Sequence, residues 1–239
     1  MNRASATAGA RSEDKRWTLR RTTRHLPRLM RFIDLTHPLR DGQPGFSYDP
    51  QLRVESYLTV QRSQCNFSRI AMGSHHGTHV DAMSHFVQDG KRIDEMPLAW
   101  FYGPARVIKI PKEAREEITA DDLIKQQAFL RPASRVILNT GWHREYGTQR
   151  FFEDFPSLTK EAADYLASRK LRMLGMDMPT PGRDSFEIHH ALMAKDVETV
   201  LVESLANLDD VPDSFTFIGF PMHFAGIDGA PIRAVALVA

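Results

Sequence analysis

A mixed-sheet α/β domain is the fold class that the chain predicts, on three observations. Apolar, β-branched runs recur at strand length, as in 105–110 and 135–138. Strand-like runs outnumber helix-like ones and alternate with them only in the second half, which disfavours a regular doubly wound sheet. The 239 residues, 42% hydrophobic and 26% charged, suit one sizeable core, with no repeat or low-complexity linker to divide it.

Residues 1–30 hold eight of the 31 Lys and Arg and two of the 30 Asp and Glu, and show no apolar periodicity. They predict a disordered tail ahead of one domain over 31–239. Arg20-Arg21 lacks the apolar stretch of a twin-arginine export signal. Patterned sequence begins with a strand at 33–36, stopped by His37-Pro38 and a loop containing Gly42, Pro44, Gly45 and Pro50. Residues 52–58 alternate as a second strand, and 66–72 form a third that leads into a histidine cluster.

Between the buried strands 105–110 and 135–138, Thr119 caps a helix with Asp121 and Asp122 in its first turn. Thr159 caps a helix over 160–170 whose inner face is Ala162, Ala163 and Leu166. A strand at 171–176, a helix at 187–196 and strands at 200–202, 215–220 and 232–238 complete the chain.

Composition narrows the function classes. Beyond the tail the chain carries 23 basic and 28 acidic residues, which argues against a nucleic-acid-binding surface. No run approaches the ~20 apolar residues of a membrane span. The lone Cys65 excludes an internal disulfide and points to a reducing, cytoplasmic compartment.

Chemistry concentrates in His75-His76-Gly77-Thr78-His79-Val80-Asp81-Ala82-Met83-Ser84-His85-Phe86, which holds four of the ten histidines. Imidazole and carboxylate together are the ligand set of zinc or manganese. His75, His79, Asp81 and His85 share one parity, so an extended segment would turn them to one face. His75 and His79 would also align on a helix, but Gly77 and Thr78 favour a strand running into a turn. Either geometry lets two imidazoles and a carboxylate converge on one ion.

The pattern His75-x-Gly77-Thr78-His79-x-Asp81-x-x-x-His85-Phe86 resembles the signature of the cyclase-like metal hydrolase family, which includes bacterial kynurenine formamidases and isatin hydrolase. Weaker resemblances follow in order along the body. They are Ile33-Asp34-Leu35-Thr36-His37-Pro38-Leu39, Asn139-Thr140-Gly141-Trp142, Gly175-Met176-Asp177-Met178-Pro179, Gly219-Phe220-Pro221-Met222 and Asp228-Gly229-Ala230-Pro231-Ile232-Arg233. The resemblance implies a swivelling β/β/α domain and a homodimer or homotetramer. It implies His75, His79 and Asp81 as ligands of a first ion, with Asp81 bridging to a second held by His189 or His190 and Glu203. Leu192 favours His189, although the spacing to Glu203 is about two residues longer than the family's, around Glu198-Thr199. Met83 stands where the family has Pro.

One or two divalent ions, Zn²⁺ or Mn²⁺, would then activate a water to attack an amide, formamide or lactam carbonyl. His85 is the general acid/base that the resemblance implies. Phe46, Tyr48, Phe86 and Trp142 are candidates to line a pocket for a small, aromatic substrate. The leading activity is hydrolysis of N-formylkynurenine to kynurenine and formate. Isatin-type lactam opening, a cyclase or dehydratase reaction, and a non-catalytic metal-stabilised binding protein are the alternatives.

Overall fold

The computed structural model describes residues 30–183 and 186–238, so all but the last residue of the expected N-terminal tail lies outside the described residues. From β1 (Arg31–Asp34) the chain runs through the loop that His37-Pro38 opens into β2 (Arg53–Leu58), a short α1 (Val60–Ser63) and β3 (Phe67–Ala71). Among the described residues β2 and β3 pair only with each other, as an antiparallel ribbon set off from the main sheet. Val54 and Ile70 face each other across it, and Tyr57 and Phe67 meet edge to face, all four exposed.

The histidine cluster then yields a strand of only three residues, β4 (His79–Asp81). Next come β5 (Tyr102–Lys109), β6 (Glu117–Ile118), α2 (Ala120–Ile124), β7 (Arg135–Asn139), α3 (Arg150–Glu153), β8 (Ser157–Leu158) and α4 (Lys160–Ser168). The last elements are β9 (Met173–Met176), α5 (Phe186–Met193), β10 (Val200–Glu203), β11 (Ser214–Ile218), β12 (Gly229–Pro231) and β13 (Val235–Val238). The caps work as their chemistry requires. Thr119 accepts from the Asp122 N–H while the Asp122 carboxylate takes the Thr119 N–H in return, and Thr159 accepts from the Ala162 N–H.

Among the described residues, nine strands form one mixed sheet in the order β1-β13-β11-β5-β7-β9-β10-β4-β12. Its centre, β5-β7-β9-β10, is parallel because each crossover contains a helix, and both flanks are antiparallel. Buried Val136, Ile137 and Leu138 on β7 and Val200, Leu201 and Val202 on β10 carry the core through that centre. Ala162, Ala163 and Leu166 pack inward from α4, as their spacing predicts. The mixed α/β class expected from the sequence is the observed one. β12 was not foreseen, since Gly-Ala-Pro carries neither alternation nor an apolar run.

Candidate metal centre and active site

Placing β4 between β10 and β12 builds the site. His79 stands directly opposite Glu203, and Asp81 opposite Leu201, so His79, Asp81 and Glu203 project from one face. Val80 and Val202 fill the other face. On the β12 side Gly229 stands opposite Asp81 and offers no side chain to that face. A Cβ there would fall 2.6 Å from His75 Cε1 and 2.8 Å from the Val80 carbonyl, so this glycine makes room for the His75 ring.

His75 and His85 are not on the strand. His75 lies in the preceding turn, which Gly77 enters at φ +66°, and His85 ends the 3-10 turn Met83–His85. The parity argument therefore holds for His79 and Asp81 alone; turns bring in the other two. Thr78 pins the motif, donating to the Ser204 carbonyl at 2.6 Å and accepting the His37 N–H at 3.0 Å.

Buried α5 residue His189 completes the centre. Its Nε2 is 3.2 Å from Thr180 Oγ1 and 3.6 Å from Glu203 Oε1, and its ring stacks on Phe86 at 4.0 Å. His190 is exposed, which separates the two candidates. Ahead of Glu203 the chain turns, with Glu198 left-handed (φ +52°) and the Thr199 N–H bonded to the Leu192 carbonyl.

Among the described residues three overlapping ligand sets result: His75, His79 and Asp81; Asp81, His189 and Glu203; and the more exposed His75, His85 and Asp228, the ligand atoms of each lying within 4.8 Å of one another. The residues fit a divalent ion. His79 Nδ1 donates to the Gly77 carbonyl at 2.8 Å, leaving Nε2 buried without a hydrogen-bond partner, 3.3 Å from Asp81 Oδ1 and 3.4 Å from Glu203 Oε2. A backbone acceptor on one imidazole nitrogen is what readies the other for a metal. Glu203 Oε1 is likewise buried without a hydrogen-bond partner.

Electrostatics agree. Burial works against charge on His75, yet Asp81 and Asp228 push it up to about 9. Burial opposes charge on His79 too, and Asp81 and Glu203 push it up to about 10. Against its own burial, Asp81 is held well below the usual carboxylate range by His75 and His79. Protons on the two imidazoles thus carry the positive charge that the buried carboxylates demand and an ion would supply.

A cavity of about 430 Å³ opens over this centre, bounded by Phe46, Tyr48, Phe86, Phe186, Asp49, Thr180 and Arg183, with His75, His79, His85, His189 and Glu203 on its walls. Three of the four expected pocket aromatics are therefore here. Trp142 is not: its indole N–H donates to the Phe151 carbonyl at 3.0 Å, and the ring is buried in the core. Burial lowers the basicity of His85, whose ring stacks on His75 at 3.9 Å. Asp228, Asp49, Thr180, Arg183 and Phe186 carry no site role in the sequence alone. Asp228 Oδ2 lies 2.9 Å from His75 Nε2 and 3.3 Å from His85 Nδ1. Its only local signal is an acid set against a glycine.

Fold and site together define a mixed-sheet α/β protein with a buried histidine–carboxylate centre beneath an aromatic cavity. The Cyclase family model, described as "Putative cyclase", matches residues 33–183, and the chain belongs to that family. It is 30% identical over 214 residues to the kynurenine formamidase of Bacillus cytotoxicus, covering 85% of this chain and 96% of that one. The kynurenine formamidase of Bacillus cereus is 29% identical over the same shares. Among solved structures, isatin hydrolase A from Labrenzia aggregata superposes with a TM-score of 0.77 at 25% identity, covering 87% of this chain and 94% of that one. A predicted metal-dependent hydrolase from Bacillus stearothermophilus does so with a TM-score of 0.74 at 27% identity, over 87% and 98%.

Proposed function

We propose that the protein is a metal-dependent hydrolase of non-peptide C–N bonds whose substrate is an aryl formamide, N-formylkynurenine, cleaved to kynurenine and formate. The observation that carries this reading is the buried cluster of His75, His79, Asp81, His189 and Glu203 on the floor of an aromatic-walled cavity. The kynurenine formamidase relatives support the choice of a formamide. One or two ions, Zn²⁺ or Mn²⁺, fit the two ligand sets that share Asp81. Such an ion supplies Lewis acidity and a water acidic enough to ionise near neutral pH.

The chain's own residues do the rest. His75, His79, Asp81, His189 and Glu203 hold the ligand atoms in place. His85, on the cavity wall and less basic than a free imidazole, accepts the proton of the attacking water and returns it to the departing nitrogen as the C–N bond breaks. Phe46, Tyr48 and Phe86 stack against the substrate's ring and exclude water. Opening of an isatin-type lactam is the second reading, favoured by the isatin hydrolase fold neighbour, and would use the same groups. We also assign the protein to the cytoplasm, on its single Cys65, and to a homodimer or homotetramer, supported by the exposed apolar side chains of the ribbon β2-β3.

Metal analysis combined with turnover of N-formylkynurenine and isatin tests the proposal. Wild-type protein is expected to bind a divalent ion and release formate. His79→Ala loses both metal and turnover, while His85→Ala keeps the metal and loses turnover by ~10²-fold or more. Full metal occupancy without hydrolysis of any amide, ester or lactam would overturn it.

A further inference from the structure

We infer that Asp49 sets the substrate specificity of the cavity, taking the α-ammonium of an amino-acid substrate and so favouring a formamide that carries a cation over a neutral lactam. The inference rests on the proposed function and names the substrate class of the same site.

Two carboxylates line the cavity, Glu203 and Asp49. Glu203 belongs to the ligand cluster, whereas Asp49 lies outside every ligand set. Among the described residues the Asp49 carboxylate enters no ion pair. The turn that carries it fixes its place. The Asp49 N–H donates to the Phe46 carbonyl at 3.0 Å, closing a β-turn over residues 46–49. Phe46 anchors that turn, meeting Phe152 edge to face at 5.2 Å and Phe155 at 6.3 Å. Tyr48 stacks on Phe46 at 5.4 Å and 4°. A Cβ on Gly45 would lie 3.8 Å from both Asp49 Oδ2 and His76 Nε2, which sets the carboxylate beside the histidine turn that leads into the ligand cluster.

One turn therefore brings a carboxylate and two stacked rings to the cavity wall. That combination suits an ammonium, because the carboxylate supplies the counter-charge and aromatic faces attract a cation. Burial pushes the Asp49 carboxyl up, a cost that a cation beside it offsets. N-formylkynurenine carries its ammonium on a short arm ortho to the formamide; isatin carries no cation. With the formamide at the ligand cluster, the ammonium needs a partner that the cluster does not supply, and Asp49 is the remaining carboxylate of the wall.

The test pairs N-formylkynurenine with its deamino analogue, which keeps the ring, the formamide and the acid but lacks the ammonium. Wild type, Asp49→Asn and Asp49→Glu are compared under saturating Zn²⁺ or Mn²⁺ at neutral pH. Metal content, melting temperature and calorimetric binding of kynurenine are measured on each. Wild type is expected to favour N-formylkynurenine ~10–100-fold in kcat/KM. Asp49→Asn is expected to raise KM for N-formylkynurenine ~10–100-fold with kcat within about twofold, and to weaken kynurenine binding by the same factor. It should process the deamino analogue no worse than wild type, with metal content and melting temperature unchanged. Asp49→Glu should recover part of the affinity.

An equal loss on both formamides in Asp49→Asn would overturn the inference. So would a wild type that does not distinguish them, a result that needs no variant to fold. Turnover of N-formylkynurenine at wild-type KM in Asp49→Asn sinks the inference and spares the formamidase reading. Kynurenine bound through Asp49 by a protein that hydrolyses neither formamide spares the inference and sinks that reading, whereas neither binding nor turnover sinks both.

Discussion

At Trp142 the residue type and the neighbourhood disagree with the function first expected of them. An indole in a Thr-Gly-Trp segment looks available to a ring-shaped substrate, yet here it is 4% exposed and spends its one donor on the Phe151 carbonyl. Trp142→Phe should therefore cost ~1–3 kcal/mol by leaving that carbonyl unpaired, and leave KM for N-formylkynurenine unchanged. Urea unfolding beside steady-state kinetics checks both halves. A KM raised severalfold at unchanged stability would return Trp142 to the pocket.

Met83 teaches a related lesson. It opens the 3-10 turn Met83–His85 after an extended Ala82 (φ −83°, ψ 156°), a position where proline is also at home because the first N–H of a helical turn has no partner within it. The turn is secured instead by Ser84 N–H to the Lys91 carbonyl and Val87 N–H to the Met83 carbonyl. Its buried side chain packs into the core. His85 is thus held with a methionine opening its turn.

Among the elements, β4 decides most. Three residues would be a marginal strand alone, but partners on both sides make it the floor of the site. Parity puts His79 and Asp81 on one face, and cross-strand register adds Glu203. The same face on β12 must carry nothing at Gly229. Gly229→Ala places a methyl against the His75 ring and the Val80 backbone, and backbone cannot step aside by changing rotamer. The expected outcome is a loss of ~1–3 kcal/mol in urea unfolding together with a fall in retained metal after dialysis. Wild-type metal content and stability in that variant would show that the His75 ring does not need this space.

Across the whole molecule, part of the acid sensitivity should arise at His37, outside the ligand cluster. His37 is buried and stacked face to face on Tyr146 at 3.7 Å. Burial, with His143 adding to it, pushes His37 down to about 4 against the attraction of Asp177 and Asp34. The unfolded chain, titrating near 6.5, binds this proton first. Stability from His37 is therefore fully present above pH 6.5, falls as the pH drops, and is gone below about 4. The span amounts to ~3 kcal/mol. Urea unfolding of wild type and His37→Asn across that range measures it, the variant being expected to show the shallower acid slope; parallel slopes would remove His37 from the account.

Local pattern made the longer strands and helices of the body legible, because the apolar β-branched run over 105–110, capping at Thr119 and Thr159 and the turn at His37-Pro38 depend on neighbours in the chain. The same local spacing exposed His75, His79, Asp81 and His85 as a group and set His79 and Asp81 on one face. Only the tertiary structure settled which of His189 and His190 faces the centre, sent Trp142 to the core, and brought Asp228 to His75 and His85. Those outcomes depend on β10 and β12 closing on β4 from far along the chain, and on α5 burying one of two adjacent imidazoles. Pairing and burial of that kind are properties of the packed sheet, which no window of neighbouring residues contains.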